Sequence, residues 1–254
     1  MSGSSVISTT PSAGIAVLRM SARSGNAIND DLLEGLSRAV EGAVRDPGVR
    51  GILLGSGGKL FSPGLDLVEL SAYERPEMER FMGRFADCML AFFSCPKPVF
   101  AAVSGHAVAG GCVLALTADR RILRRGAMMG LNEIQVGVPL PFGVSELLRE
   151  SVSPASLEEI ALLGKNYTDE EALGAGLAHD LHEAEGFEEH CLQRLEEYAA
   201  KDSRAFAFTK GYLRSAAIDR IRSLDARHRG EFLDCWFSDS TRGRIAQIVS
   251  GLRK

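Results

Sequence analysis

Two segments of the chain share one plan, and together they restrict the fold more than any other feature. Val49 to Leu54 (VRGILL) is short, apolar and bounded by glycine, and it runs into GSGGKLFSPGLDL. Val99 to Val103 runs into SGHAVAGGCVLAL in the same way. Apolar runs of this length between turn signals read as strands buried on both faces of a parallel sheet. A strand, a glycine-rich loop and a helix start, used twice, call for an α/β architecture. Ligands of such sheets sit beyond the carboxyl ends of the strands. Backbone N–H groups exposed in such loops bind anions or developing negative charge. If the two loops are neighbours, the N–H of Leu65, just after Gly64, and that of Gly110 can point at one oxygen and form an oxyanion hole. Glycine at these positions also suits a tight strand-to-helix turn, and spacing alone leaves both readings open.

The rest of the chain fits the same class. Ala13 to Met20 reads as a strand. Ala27 to Ala43 places Ile28, Leu32, Leu36, Val40 and Ala43 on one helical stripe, with Asn29 or Asp30 as its cap. Leu65 to Leu70 begins a helix, and Pro76 to Phe93 forms a longer one with Phe81, Phe85, Met89 and Phe92 inward, stopped by Pro96 and Pro98. A buried helix starts near Gly110 and runs through CVLALTA. Short strands are expected at 121–123 and 128–130. Helices are expected over 142–149, 154–163, 169–175 and 187–200, the third with a Thr168/Glu171 capping box. Ser203 to Lys254 reads as helical throughout, with possible breaks at Gly211, Gly230, Gly243 and Gly251. We take residues 1–200 as the core and 201–254 as a helical C-terminal region.

Composition narrows the function. The formal net charge is −4, too acidic for a field that holds a nucleic acid backbone. The cysteine count is odd, at 5, with no C-x-x-C pair, so neither a metal site nor a disulfide framework is expected. The polar start MSGSSVISTTPS lacks the basic and apolar regions of a signal peptide, and the expected location is cytoplasmic. No G-x-G-x-x-G follows a strand, and neither a P-loop nor a G-x-S-x-G elbow occurs.

Five spaced motifs, in order, carry a resemblance. They are Asn26-Ala27, Phe61-Ser62-Pro63-Gly64-Leu65-Asp66-Leu67, Gly105-His106-Ala107-Val108-Ala109-Gly110-Gly111-Cys112, Ala118-Asp119-Arg120, and Asn132-Glu133 with Gly137. The chain resembles the crotonase family of enoyl-CoA hydratases and isomerases, well over Val6 to Leu181 and more loosely in the tail. The resemblance implies a ClpP-like α/β spiral of repeated β-β-α units with a helical C-terminal region, in place of a plain doubly wound sheet. It also implies an acyl-CoA thioester as substrate, a homotrimer or dimer of trimers, and no cofactor beyond the CoA of the substrate. The oxyanion donors map to Leu65 and Gly110.

The resemblance also points to a reaction. Hydratases of the family use two glutamates, and one of those positions is Val113 here. The other maps to Glu133. One carboxylate is enough to move a double bond, and the Gly130-Leu131-Asn132-Glu133 segment with Gly143 is similar to mitochondrial-type Δ3,Δ2-enoyl-CoA isomerases. Isomerisation of 3-enoyl-CoA with Glu133 as acid/base is therefore expected. The alternatives are hydration using Asp66, Glu69 or Glu146 as a substitute, thioester hydrolysis, and a non-catalytic acyl-CoA binder. Asn132 orients the glutamate or satisfies loop carbonyls. Contacts to the CoA portion are expected from Arg23, Lys59, Ser62, Gly64, Leu65 and Lys210. His106, Asp66 and Cys112 read as structural, Asp119 and Arg120 as a structural pair, and the aromatic set Phe206, Phe208, Phe232, Trp236 and Phe237 as core or trimer contacts, with Phe232 or Trp236 lining the acyl pocket as the alternative.

Overall fold

The computed structural model describes residues 5–9 and 14–252, and the Arg23 side chain and Ala13 lie outside the described residues. Its main sheet has six strands in the order β1 (Val6–Thr9), β2 (Ile15–Met20), β3 (Gly51–Ser56), β4 (Val99–Val103), β6 (Arg120–Arg124), β8 (Asp180–His182). All neighbours are parallel except β1, which pairs antiparallel with β2 from Val6↔Met20 to Thr9↔Val17. β1 corrects the reading of the N-terminal segment as merely polar. It is an edge strand of four residues with only Val6 buried, too short for an alternating pattern to mark it.

A second, smaller ladder runs beside this sheet. β5 (Ala107–Val108) pairs with β7 (Met129–Gly130). Single bridges join Ile28 to Leu65, Ser62 to Ala107 and Met129 to Tyr167. Each long strand is thus followed by a short extended segment in the second ladder and then by a helix. β4, β5 and the helix α5 (Gly110–Leu116) form one such unit. This is the β-β-α repeat, and it replaces the plain doubly wound sheet.

Alternate residues of the strands face two apolar cores. Ile15, Val17, Leu53, Phe100 and Ile122 pack under α10 (Phe187–Ala199) through Phe187, Cys191 and Leu195. Ala16, Leu18, Ile52, Leu54 and Ala101 face the larger core, which holds α2 (Asp30–Arg45), α4 (Arg75–Phe93) and α5. Asn29 caps α2 by accepting the Leu32 N–H. The one-turn α1 (Arg23–Asn26) has Ser24, Gly25 and Asn26 at positive φ, and α3 (Leu67–Leu70) is capped by Asp66. α6 (Glu133–Val136), α7 (Phe142–Ser151), α8 (Pro154–Leu163) and α9 (Asp169–Ala175) follow.

The tail is two helices, α11 (Ser203–Trp236) and α12 (Asp239–Leu252). Gly211 and Gly230 do not break α11; the chain turns at Phe237 and Ser238 instead. α11 packs on α4 and α7, and α12 on α3 and α6. Among the described residues no helix is long and apolar enough to cross a membrane. No described group of three or more His, Cys, Asp or Glu side chains could hold a metal, and the cysteines are free thiols.

Candidate active site

The two glycine loops meet. The Val108 N–H donates to the Ser62 carbonyl at 3.0 Å, and the Phe61 N–H to the His106 carbonyl at 3.1 Å. The contact is close enough to exclude side chains. A Cβ on Gly111 would lie 2.2 Å from the Ser62 oxygen, and one on Gly105 would lie 2.1 Å from the Lys59 oxygen. A Cβ on Gly64 would lie 2.9 Å from Ala109 Cβ and 3.2 Å from Gly110 N, at a φ of +98°. Glycine here serves the approach of the loops as well as the turn.

Among the described residues the geometry leaves two N–H groups without protein acceptors. The Ile28 N–H donates to the Gly64 carbonyl at 2.8 Å, and the Asp66 N–H donates to the Ile28 carbonyl at 2.9 Å. Leu65 lies between these latches and its own N–H is unused among the described residues. Gly110 opens α5, so its N–H has no acceptor within the helix. Ala109, just before it, has φ 48° and ψ −126°. An alanine at positive φ is strained, and strain of this kind gathers at functional sites. The Ala109 N–H is held by the Gly130 carbonyl at 2.8 Å, which fixes the turn that aims Gly110.

Leu65, Ala109 and Gly110 line a cavity of about 190 Å³ together with Val113, Asn132 and Glu133. The remaining wall is mostly apolar and draws on α4, α7, α11 and α12. Glu133 is the first residue of α6, and its carbonyl accepts the Gly137 and Val138 N–H groups at 3.1 and 3.2 Å. Gly137, at φ 106°, lets α12 seat behind that turn: Thr241 Oγ1 donates to the Gly137 carbonyl at 3.1 Å. The Glu133 carboxylate is enclosed, and Oε2 has no hydrogen-bond partner among the described residues. Desolvation pushes its pKa up to about 7. Glu133 is the only titratable side chain on the cavity wall among the described residues.

Such a site can hold a carbonyl oxygen at the two N–H groups and offer a carboxylate near neutrality to an adjacent carbon acid. The Asn132 side chain lines the cavity and makes no hydrogen bond within the described residues, neither to Glu133 nor to loop carbonyls. His106 is a loop brace, its Nδ1 accepting the Met128 N–H at 3.1 Å. Asp66 caps α3. Cys112 is fully buried, and burial pushes its thiol up to about 12, away from nucleophilic use.

Several expected contacts lie elsewhere. Lys210 is buried, with Nζ 2.8 Å from Asp119 Oδ2 and 3.0 Å from the Lys97 carbonyl, so the charge expected at a CoA phosphate is spent inside the fold. Asp119 pairs with Lys210 and with Arg214 at 2.9 Å, not with Arg120. The Ser62 hydroxyl is fully buried, donating to the Asn26 carbonyl at 2.8 Å and accepting the Gly64 N–H at 3.2 Å; it braces the loop and is not free for CoA. Gly64 supports the neighbouring donor. Lys59 is exposed in its loop and does not line the cavity. Arg23 has a described backbone only. Phe232 and Trp236 are buried in the larger core and also line the cavity, so both readings of them hold, whereas Phe208 is exposed. Sequence reasoning missed Ala109, whose strain has no compositional signal, and Ile248, which reaches the wall from α12.

The chain is 28% identical over 248 residues to the human mitochondrial enoyl-CoA delta isomerase 1, covering 95% of this chain and 81% of that protein. It is 32% identical over 164 residues to a probable enoyl-CoA hydratase of Bacillus subtilis, covering 64% of each. Among solved structures, human mitochondrial delta3-delta2-enoyl-CoA isomerase superposes with a TM-score of 0.94 at 25% identity over 98% of both chains. An enoyl-CoA hydratase from Mycobacterium ulcerans gives 0.84 at 27% identity over 90% of this chain and 99% of that one. The sequence profile of the enoyl-CoA hydratase/isomerase family matches residues 10–232, so the chain belongs to that family and has its α/β crotonase fold of repeated β-β-α units with a helical C-terminal region.

Proposed function

We propose that the protein shifts the double bond of a 3-enoyl-CoA to give the 2-enoyl-CoA, with Glu133 as its single acid/base. The observation that carries this reading is that one titratable side chain, Glu133, lines the cavity beside the free N–H groups of Leu65 and Gly110. The Glu133 carboxylate takes a proton from C2 of the thioester. The electron pair moves into the carbonyl, and the resulting dienolate oxygen is held by the two N–H groups. Each such donor is worth about 3–4 kcal/mol to the transition state. The Glu133 carboxylic acid then returns the proton to C4, the C2–C3 double bond forms, and the carboxylate is regenerated. A pKa near 7 suits a group that both takes and gives a proton at neutral pH.

Hydration needs a second acid or base, and the substitutes are occupied. Asp66 Oδ1 accepts the Val68 and Glu69 N–H groups, Glu69 bonds Asn29 and Tyr73, and Glu146 pairs with Arg220 at 2.7 Å. None lines the cavity, and Val113 does. A non-catalytic binder gains nothing from an enclosed carboxylate with one unpartnered oxygen, which costs stability when ionised. The same reading includes a homotrimer or a pair of trimers, with the exposed Phe208, Tyr212 and Leu213 of α11 as apolar contact surface. Sedimentation measurements would test that assembly.

Proton NMR of the enzyme with trans-3-hexenoyl-CoA in deuterated buffer tests the reaction. The conjugated 2-enoyl product is expected, and its formation should be lost in Glu133→Gln. A 3-hydroxyacyl product would establish hydration instead, and free CoA would establish hydrolysis. An unchanged substrate would remove the isomerase reading.

A further inference from the structure

Four residues, Met82, Phe85, Pro141 and Phe232, line the Glu133 cavity and also a second cavity of about 140 Å³ on their other side. The two spaces differ in chemistry. Among the described residues Glu133 is the only titratable side chain on the first wall, whereas the second is lined by Asp225, His228, Arg229 and Glu231. These groups are largely engaged with each other. Arg229 Nη2 lies 3.3 Å from Asp225 Oδ2, and Asp225 Oδ1 accepts the Gly143 N–H at 3.0 Å. His228 Nδ1 lies 3.1 Å from Glu231 Oε1. Arg229 Nε is buried with no partner among the described residues.

We propose that the partition of Met82, Phe85 and Phe232 sets the acyl chain length, so that the site takes short 3-enoyl chains that end against it and refuses long hydrocarbon chains. The reaction named here rests on the isomerase reading; the partition itself does not. A short chain stays among apolar side chains and gains from their contact. A longer one must displace the partition and lay methylene groups against the Arg229–Asp225 pair. That strips water from charged groups and returns no hydrogen bond. Met82 is the weakest member, because its side chain is unbranched and flexible. Truncating it joins the two cavities. A chain that then crosses meets unsatisfied Arg229 Nε and is better matched if it carries an oxygen.

The experiment compares kcat/KM for trans-3-hexenoyl-CoA and trans-3-dodecenoyl-CoA in the wild type, Met82→Ala, Met82→Leu and Phe85→Leu. The wild type should favour the short chain by about tenfold or more, the scale of discrimination that a pocket wall supplies. Met82→Ala should reduce that ratio about tenfold, mainly through KM, and Met82→Leu, which refills the space, should keep it. A terminally hydroxylated dodecenoyl-CoA should gain more in Met82→Ala than the plain chain does. Phe85→Leu repeats the test should Met82→Ala fail to fold. Equal use of both lengths by the wild type overturns the proposal, as does an unchanged ratio in the folded truncation variants. Calorimetry with saturated hexanoyl-CoA and dodecanoyl-CoA separates the two claims. Length-selective binding without turnover of any 3-enoyl-CoA would overturn the reaction and keep the partition. Turnover without length selectivity would do the reverse.

Discussion

Asp119 and Glu133 are both enclosed carboxylates, and the protein treats them in opposite ways. Asp119 sits between Lys210 and Arg214 and also accepts the Val99 N–H at 2.7 Å. It ties α11 to the start of β4, and its charge is fully answered. Glu133 Oε2 has no partner among the described residues, and desolvation raises its pKa to about 7 against the lowering effect of a backbone hydrogen bond. A carboxylate that holds architecture is neutralised by its neighbours. One kept for proton transfer is desolvated and left open to a reactant.

The contrast is broken most forcefully by exchanging each group for its amide. Glu133→Gln should lower kcat by about 10³-fold, within the range for a general acid/base, and keep the fold by circular dichroism. Asp119→Asn should do the reverse. It leaves Lys210 and Arg214 buried without a counter-charge, and the loss should be about 3 kcal/mol in urea unfolding, the low end for breaking such a pair.

A third prediction uses pH. Folded Glu133 holds its proton to a higher pH than the unfolded residue, whose ordinary value is 4.5. The folded state therefore binds more protons between those values, and stability falls as pH rises from 4.5 to about 7. Glu133→Gln lacks that loss. Its stability advantage over the wild type should grow across this window to about 3 kcal/mol and then level off, measured by urea unfolding at several pH values. Activity should run the other way, with kcat/KM rising toward a plateau above pH 7. The smallest effect concerns the support behind Glu133. Thr241→Val removes the bond to the Gly137 carbonyl and should cost about 1 kcal/mol in the same assay.

The two sites also differ in how far the sequence discloses them. Buried strands 49–54 and 99–103 and their glycine loops are legible because apolar runs and glycine punctuation are local signals. Strand β3 is displaced to Gly51–Ser56, a boundary shift that leaves the loop in place. Glu133 is legible only through its spacing relative to the other motifs, since a lone glutamate before apolar residues is ordinarily a surface group. The Asp119 pairing is not legible, because Lys210 and Arg214 come from a helix some ninety residues away and are joined only by packing. The second ladder is only partly legible: the short strand expected at 128–130 is β7, but its pairing with β5 and the single bridges are not. Its strands are two residues long or single bridges, shorter than any alternation can mark. The cavity wall combines α4, α7, α11 and α12, and no local pattern distinguishes a residue facing that cavity from one facing the core.

Direct titration of the Glu133 carboxyl tests the central claim most closely. Carbon NMR of protein labelled at the glutamate side-chain carboxyl, assigned by the resonance missing in Glu133→Gln, would follow the group from pH 4 to 9. A midpoint near 7 is the result predicted for an enclosed, unpaired acid/base. A midpoint near 4.5, the value of an ordinary solvated glutamate, would contradict it.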